Sequence, residues 1–120
     1  MRILVVDDSK AMRMIVVRTL QLAGYDEHEI VQASNGREAV EVISQAPPGL
    51  VLCDWNMPEM SGLELLKGLR AAGWDVPFGF VTSEAAPQMR EQALAAGAMF
   101  LIAKPFTPED FQDALDPVLA

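Results

Sequence analysis

The sequence predicts an α/β domain with a doubly wound parallel sheet. Three observations carry this. Short apolar runs at residues 3–6, 29–33, 50–53, 78–81 and 100–103 alternate with longer stretches of helical period. The connections between them are short, as in repeated strand–helix units. Four of the runs end abruptly in polar residues, at Asp7-Asp8, Asp54, Thr82-Ser83 and Lys104.

Each element follows from local pattern. Ile3-Leu4-Val5-Val6 is apolar at alternate and intervening positions alike, so it reads as a strand covered on both faces. In residues 9–23, Met12, Ile15, Val16, Thr19 and Leu20 make one helical face, and Gly24 is the stop. Residues 29–33 form a weaker second strand. Ser34-Asn35-Gly36 starts a helix expected to bury Ala39, Val40 and Ile43, and Pro47-Pro48-Gly49 breaks it. Leu50-Val51-Leu52-Cys53 is the third strand. Ser61 with Glu64 forms a capping box ahead of Leu65, Leu66 and Leu69.

The fourth strand, residues 78–81, leads to a helix opened by Pro87 and stopped by Gly97. After the fifth strand, Thr107 and Pro108 supply the N-cap and first position of the last helix, with Phe111, Ala114, Leu115 and Val118 facing in.

A chain of 120 residues with 51% hydrophobic content is expected to be one domain over residues 1–120, with a full core and no need of disulfides. The last helix reaches the chain's end, which leaves no room for an output domain unless the chain is part of a longer protein. The net charge of −8, from 9 basic against 17 acidic residues, argues against nucleic acid, whose binding relies on Lys and Arg. No apolar stretch approaches the ~20 residues of a membrane span, so no membrane insertion is expected. A single cysteine, Cys53, fits a reducing cytoplasm and reads as a small buried hydrophobe. His28, alone, makes no metal site and is expected to be exposed. Trp74 is expected to pack a helix end, Trp55 to report on its neighbour Asp54, and Met89 and Met99 to line an adaptable surface.

The chemistry gathers at the strand ends, because open parallel sheets bind ligands at their carboxyl edge. The strand order 2-1-3-4-5 is adopted from flavodoxin-like domains rather than deduced from these residues. In that order Asp7, Asp8 and Asp54 converge. Three carboxylates together repel unless a cation compensates, and an oxygen-only set suits Mg²⁺ or Mn²⁺. Lys104 can hold a phosphoryl oxygen as a point charge, and Thr82 offers a hydroxyl to the same group. Metal, ammonium and hydroxyl together clamp a transferring phosphoryl group, with Asp54 as the attacking carboxylate and an aspartyl phosphate as product.

The matching pieces are Val6-Asp7-Asp8-Ser9, Asp54-Trp55-Asn56-Met57-Pro58 followed by Gly62, Thr82-Ser83-Glu84, and Lys104-Pro105-Phe106. In this order and spacing the chain resembles a response-regulator receiver domain along essentially its whole length, most of all the stand-alone chemotaxis regulators of the CheY type. The resemblance implies that Asp54 is phosphorylated from the phosphohistidine of a histidine kinase or phosphotransfer protein. It implies direct metal ligation by Asp8 and Asp54, ligation by Asp7 through water, and ligation by the backbone carbonyl of Asn56. Thr82 and Ser83 would contact the phosphoryl group, Lys104 would pair with it, and Asn56 and Glu84 would set its lifetime, here a short one.

It further implies a cis Lys104-Pro105 bond, a monomer, no turnover of an external substrate, and a downstream protein bound at the face of the fourth helix, fifth strand and fifth helix. One departure stands out. Receivers carry Tyr or Phe three residues before this lysine, where this chain has Leu101, with Phe100 one position earlier. A one-residue shift in a strand turns the side chain to the opposite face.

Two other readings compete. A haloacid-dehalogenase-like phosphatase also uses an aspartate nucleophile with Mg²⁺, but needs Asp-x-Asp after the first strand and a substrate cap. A degenerate receiver would act as a constitutive interaction module; the complete acidic set opposes it and Leu101 favours it. Flavodoxin-like FMN binding lacks its hydroxyl- and Gly-rich loop after the first strand.

Overall fold

The computed structural model describes residues 1–119. Its elements run β1 (Arg2–Val6), α1 (Lys10–Leu20), β2 (Glu29–Ala33), α2 (Gly36–Gln45), β3 (Leu50–Cys53), α3 (Gly62–Ala71), β4 (Phe78–Thr82), α4 (Pro87–Ala95), β5 (Phe100–Ala103) and α5 (Pro108–Leu119). All strand pairs are parallel and the sheet order is β2-β1-β3-β4-β5, the flavodoxin-like order expected. The register sets Val6 opposite both Ala33 and Cys53, so β1 and β3 end side by side.

Alternation splits the strands between two cores. Leu4, Val6, Val51, Cys53, Phe78, Phe80 and Leu101 pack under α2, α3 and α4. Ile3, Val5, Leu50, Leu52, Val81 and Ile102 pack under α1 and α5. The helix starts follow the caps read from sequence. Ser61 and Glu64 form both bonds of a capping box, and Asn35 accepts from the Glu38 amide. Beyond Leu20 the chain makes a wider turn, Gln21–Tyr25, that Gly24 completes at φ 99°. A side chain rarely adopts that conformation.

Three sequence expectations need correction. Ile15 is 49% exposed and Val40 is 38% exposed. Each helix rests on the sheet by a narrow strip, Val16-Thr19-Leu20 on α1 and Gly36-Ala39-Ile43 on α2. With about 100° per residue, Ile15 and Val40 sit at the rim of those strips, roughly a quarter turn from their centres. His28 is half-buried rather than exposed: its Nδ1 lies 3.4 Å from the amino terminus and its ring stacks on Tyr25.

Trp74 is half-buried against the α3 side of the core. Met89 is half-buried there too, while Met99 is exposed. Leu101 and Phe100 face opposite sides of the sheet, as the one-residue shift requires. Leu101 is buried under α4, whereas the Phe100 ring lies on Gly79 of β4, where a Cβ would come within 2.1 Å of it. The Lys104-Pro105 bond is cis.

Candidate functional site

The pocket is assembled at the carboxyl edge, where the ladder ends and side chains replace it. Asp54 is the first residue beyond β3; its amide still donates to the Val6 carbonyl at 2.9 Å, and its Oδ1 accepts from the Trp55 amide at 2.9 Å. Asp7 is held likewise after β1. Its amide donates to the Ala33 carbonyl at 3.2 Å, its Oδ1 accepts from the Ser9 amide at 2.9 Å, and its carbonyl accepts from Arg13 Nη1 at 2.7 Å. Ser9 is the N-cap of α1, so the turn that starts the helix also fixes Asp7 and leaves Asp8 exposed at the pocket mouth.

Burial is deep for such polar groups: Asp7 is 4% exposed, Asp54 9% and Thr82 fully buried. Carboxylate oxygens of Asp7, Asp8 and Asp54 lie within 4.8 Å of one another. The Lys104 ammonium bridges two of them, 3.2 Å from Asp7 Oδ2 and 3.5 Å from Asp54 Oδ1. Burial pushes the Asp54 carboxyl above the ordinary carboxylate range; Lys104 opposes this and the neighbouring Asp7 adds to it. One ammonium thus faces three carboxylates. Clustered oxygens with an excess of negative charge fit a hard divalent cation of the Mg²⁺ type, which takes one or two carboxylates and keeps waters for an anionic oxygen to replace.

On the far wall, Thr82 Oγ1 accepts from the Glu84 amide at 3.1 Å, which leaves the hydroxyl proton to donate elsewhere. The Lys104 amide donates to the Thr82 carbonyl at 2.9 Å, tying the two walls together. Asn56 Nδ2 lies 3.4 Å from Glu84 Oε1 across the mouth, and Ser83 is exposed on the loop beside it. The structure therefore brings together Asp7, Asp8, Asp54, Thr82 and Lys104, with Asn56, Ser83 and Glu84 at the rim.

Two contributors had weaker sequence signals. Arg13 clamps the Asp7 carbonyl, and nothing in a helix sequence distinguishes it from a surface cation. Gly62 stood out only as part of a motif. Its reason is steric: a Cβ there would lie 2.2 Å from the Asp54 carbonyl oxygen, so α3 can start this close to Asp54 only on a glycine. Trp55, next in sequence to Asp54, is buried with its ring centroid 4.7 Å from that of Phe80.

Comparison with known proteins agrees with this geometry. Residues 3–116 match the family described as the response regulator receiver domain. The chain is 40% identical over 122 residues to the chemotaxis protein CheY1 of Helicobacter pylori, covering 99% of this chain and 97% of that one. It is 43% identical to a chemotaxis protein CheY homolog of Campylobacter jejuni, covering 99% and 92%. Among solved structures, the chemotaxis protein CheY4 of Vibrio cholerae superposes with a TM-score of 0.86 at 36% identity, covering 98% of both chains.

Proposed function

The chain belongs to the response regulator receiver domain family, and on that footing we propose that it is a two-component signalling receiver that takes a phosphoryl group on Asp54. The donor is the phosphohistidine of a histidine kinase or phosphotransfer protein. An Asp54 carboxylate oxygen attacks phosphorus, the phosphorus–nitrogen bond breaks, and its electron pair returns to the imidazole. The observation that carries this reading is a buried Asp54 with Lys104 Nζ at 3.5 Å and two further carboxylates within 4.8 Å.

Asp8, Asp54 and the Asn56 carbonyl would hold Mg²⁺ or Mn²⁺ directly, and Asp7 would hold it through water. The ion supplies charge neutralisation for the phosphoryl oxygens. Lys104, held between Asp7 and Asp54, exchanges a carboxylate for a phosphoryl oxygen. Thr82 and Ser83 donate to the same group. Asn56 and Glu84, 3.4 Å apart at the mouth, control the approach of water and so the lifetime.

The chain transfers the group to itself and loses it by hydrolysis, without turnover of an external substrate. It works as a cytoplasmic monomer, in chemotaxis or as a stand-alone relay regulator. The phosphorylated form changes its affinity for a downstream protein at the α4–β5–α5 face. No helix among the described residues is long and apolar enough to cross a membrane.

The test uses Trp55, whose amide donates to Asp54 Oδ1 at 2.9 Å and whose ring packs on Phe80. Mg²⁺ should perturb its emission and acetyl phosphate should change it further, with Trp74→Phe removing the second indole. Asp54→Ala should abolish the response to acetyl phosphate; a response that persists would overturn the assignment, as would a wild-type chain inert to acetyl phosphate, the behaviour of a constitutive interaction module.

A further inference from the structure

We propose that the surface between β5 and α5 is built for a cationic segment of a partner protein, one that sets Lys or Arg side chains around an apolar anchor. This deepens the reading that the α4–β5–α5 face carries the output, and it rests on that reading. The face holds a cavity of about 430 Å³ whose lining includes Phe100, Pro105 and Ala114. That volume accommodates a large side chain with room for its neighbours. Phe100 is half-buried, one side of its ring spent on Gly79, so aromatic surface remains for a ligand. The acids at the same cavity are Asp110 and Asp113. Its one cation, Arg90, donates to the Leu101 carbonyl at 3.3 Å.

The helix behind the cavity carries acids that no base on the same helix balances. From Pro108 to Leu119 it carries Glu109, Asp110, Asp113 and Asp116 and no Lys or Arg. Glu109 and Asp113 are like charges four residues apart, and Asp113 has a further acid three residues away on each side, a repulsive arrangement. Asp116, in the last turn, sits where the dipole favours cations, while Glu109 and Asp110, in the first turn, sit where it favours anions. Asp110 is used locally, accepting from the Thr107 amide at 2.9 Å, and Asp116 accepts from the Tyr25 hydroxyl. Among the described residues, Glu109 and Asp113 have no basic partner within ion-pair distance. Glu109 and Asp113, repelling each other and without a basic partner, stand beside a cavity that offers Phe100 to an apolar anchor, and that combination is complementary to a cationic partner.

The charge is local rather than a reflection of the net −8, because α1 carries Lys10, Arg13 and Arg18 and no acid.

The experiment is a random peptide display selection on the full chain, with Mg²⁺ and with or without beryllofluoride as phosphoryl mimic. Selected peptides are then titrated into the wild type and into a Glu109→Gln/Asp113→Asn variant, with amide shifts mapped by NMR. The expected pool is rich in Lys and Arg around an aromatic or aliphatic residue. Its binding should shift Phe100 and Ala114, weaken with salt, and fall at least about tenfold in the variant. A neutral or acidic pool, shifts centred on α1, or equal affinity for the variant would overturn the proposal. Both substituted residues lie outside the acceptor pocket, so the Trp55 response to acetyl phosphate, measured on the same samples, reports separately on the phosphoryl reading. Its loss would sink that reading, and the peptide results would still decide this one.

Discussion

At the carboxyl edge of the sheet the molecule buries charge, while on the outer faces of α1 and α2 it leaves aliphatic side chains in water. Both invert the usual order of apolar inside and polar outside, yet the two are not equivalent. Asp54 at 9% exposure must give up solvation that a single shared ammonium replaces only in part. Ile15 and Val40 merely add to the apolar fraction that every protein surface contains. The first inversion opposes folding and implies a use; the second costs almost nothing and implies none. Substitutions can measure the difference.

The largest effect belongs to Lys104. Among the described residues it is the one cation in reach of both Asp7 and Asp54. Lys104→Ala removes the ammonium that would meet the phosphoryl oxygens, and phosphorylation by acetyl phosphate should slow by roughly 10²-fold, the usual penalty for losing one oriented donor. Stopped-flow Trp55 emission reads the rate. A rate within a factor of a few of wild type would place the charge stabilisation elsewhere. Next comes Gly62→Ala. The new Cβ would meet backbone, the Asp54 carbonyl oxygen at 2.2 Å, so α3 must shift. Urea unfolding should show a loss of about 1–3 kcal/mol. In the same helix a Cβ at Gly68 meets nothing within 4 Å, and Gly68→Ala should instead stabilise by about 0.5–1 kcal/mol. Equal effects at the two glycines would remove the steric argument.

A smaller effect is expected from charge itself. Burial raises the Asp54 carboxyl, so the folded chain holds that proton more tightly than the unfolded chain does. The associated stability is complete below the unfolded value of about 3.9 and is lost as pH rises through the raised folded value. At neutral pH in metal-free buffer the ionised Asp54 therefore opposes folding. Asp54→Asn should raise the urea midpoint there, and the gain should fade as the pH is lowered through that window. Lys104 keeps Asp7 at 3.2 Å in the variant, so it is not stranded. Mg²⁺ should narrow the gap from the other side, adding about 1.4 kcal/mol to the wild type at roughly ten times its Kd. A variant less stable than wild type in metal-free buffer at neutral pH would show that Asp54 is structurally paired rather than strained.

The same contrast explains what could be read from the sequence. The pocket was legible because its residues stop apolar runs: Asp7, Asp54, Thr82 and Lys104 each end a strand, and a parallel sheet has only one edge where such ends meet. The caps at Ser61 and Asn35 were legible because they are local hydrogen bonds between residues three apart. The strand order was not; it came from likeness to known folds, since periodicity says nothing of which strands are neighbours. Arg13 was hidden because its bond to the Asp7 carbonyl is a tertiary contact that any surface arginine could make or miss. The aromatic position was half legible. Alternation foretold that Phe100 and Leu101 face opposite sides, but only packing reveals that Phe100 rests on Gly79.

The smallest effects should come from the residues whose burial the periodicity overstated. Apolar period marks a stripe wider than the strip a helix lays on the sheet, and Ile15 and Val40 fall on the rim of theirs. Replacing either with Ser removes aliphatic surface that is 49% and 38% exposed, so little burial is lost and no buried polar group is created. Each should change unfolding free energy by no more than about 0.5 kcal/mol, against a loss of about 2–5 kcal/mol for Ile43→Ala, one turn from Val40 and fully buried. Urea unfolding of the three variants side by side ranks them directly. A loss at Val40 approaching that at Ile43 would mean that Val40 is buried in solution, and the contrast between a costly inversion and a free one would hold only for α1.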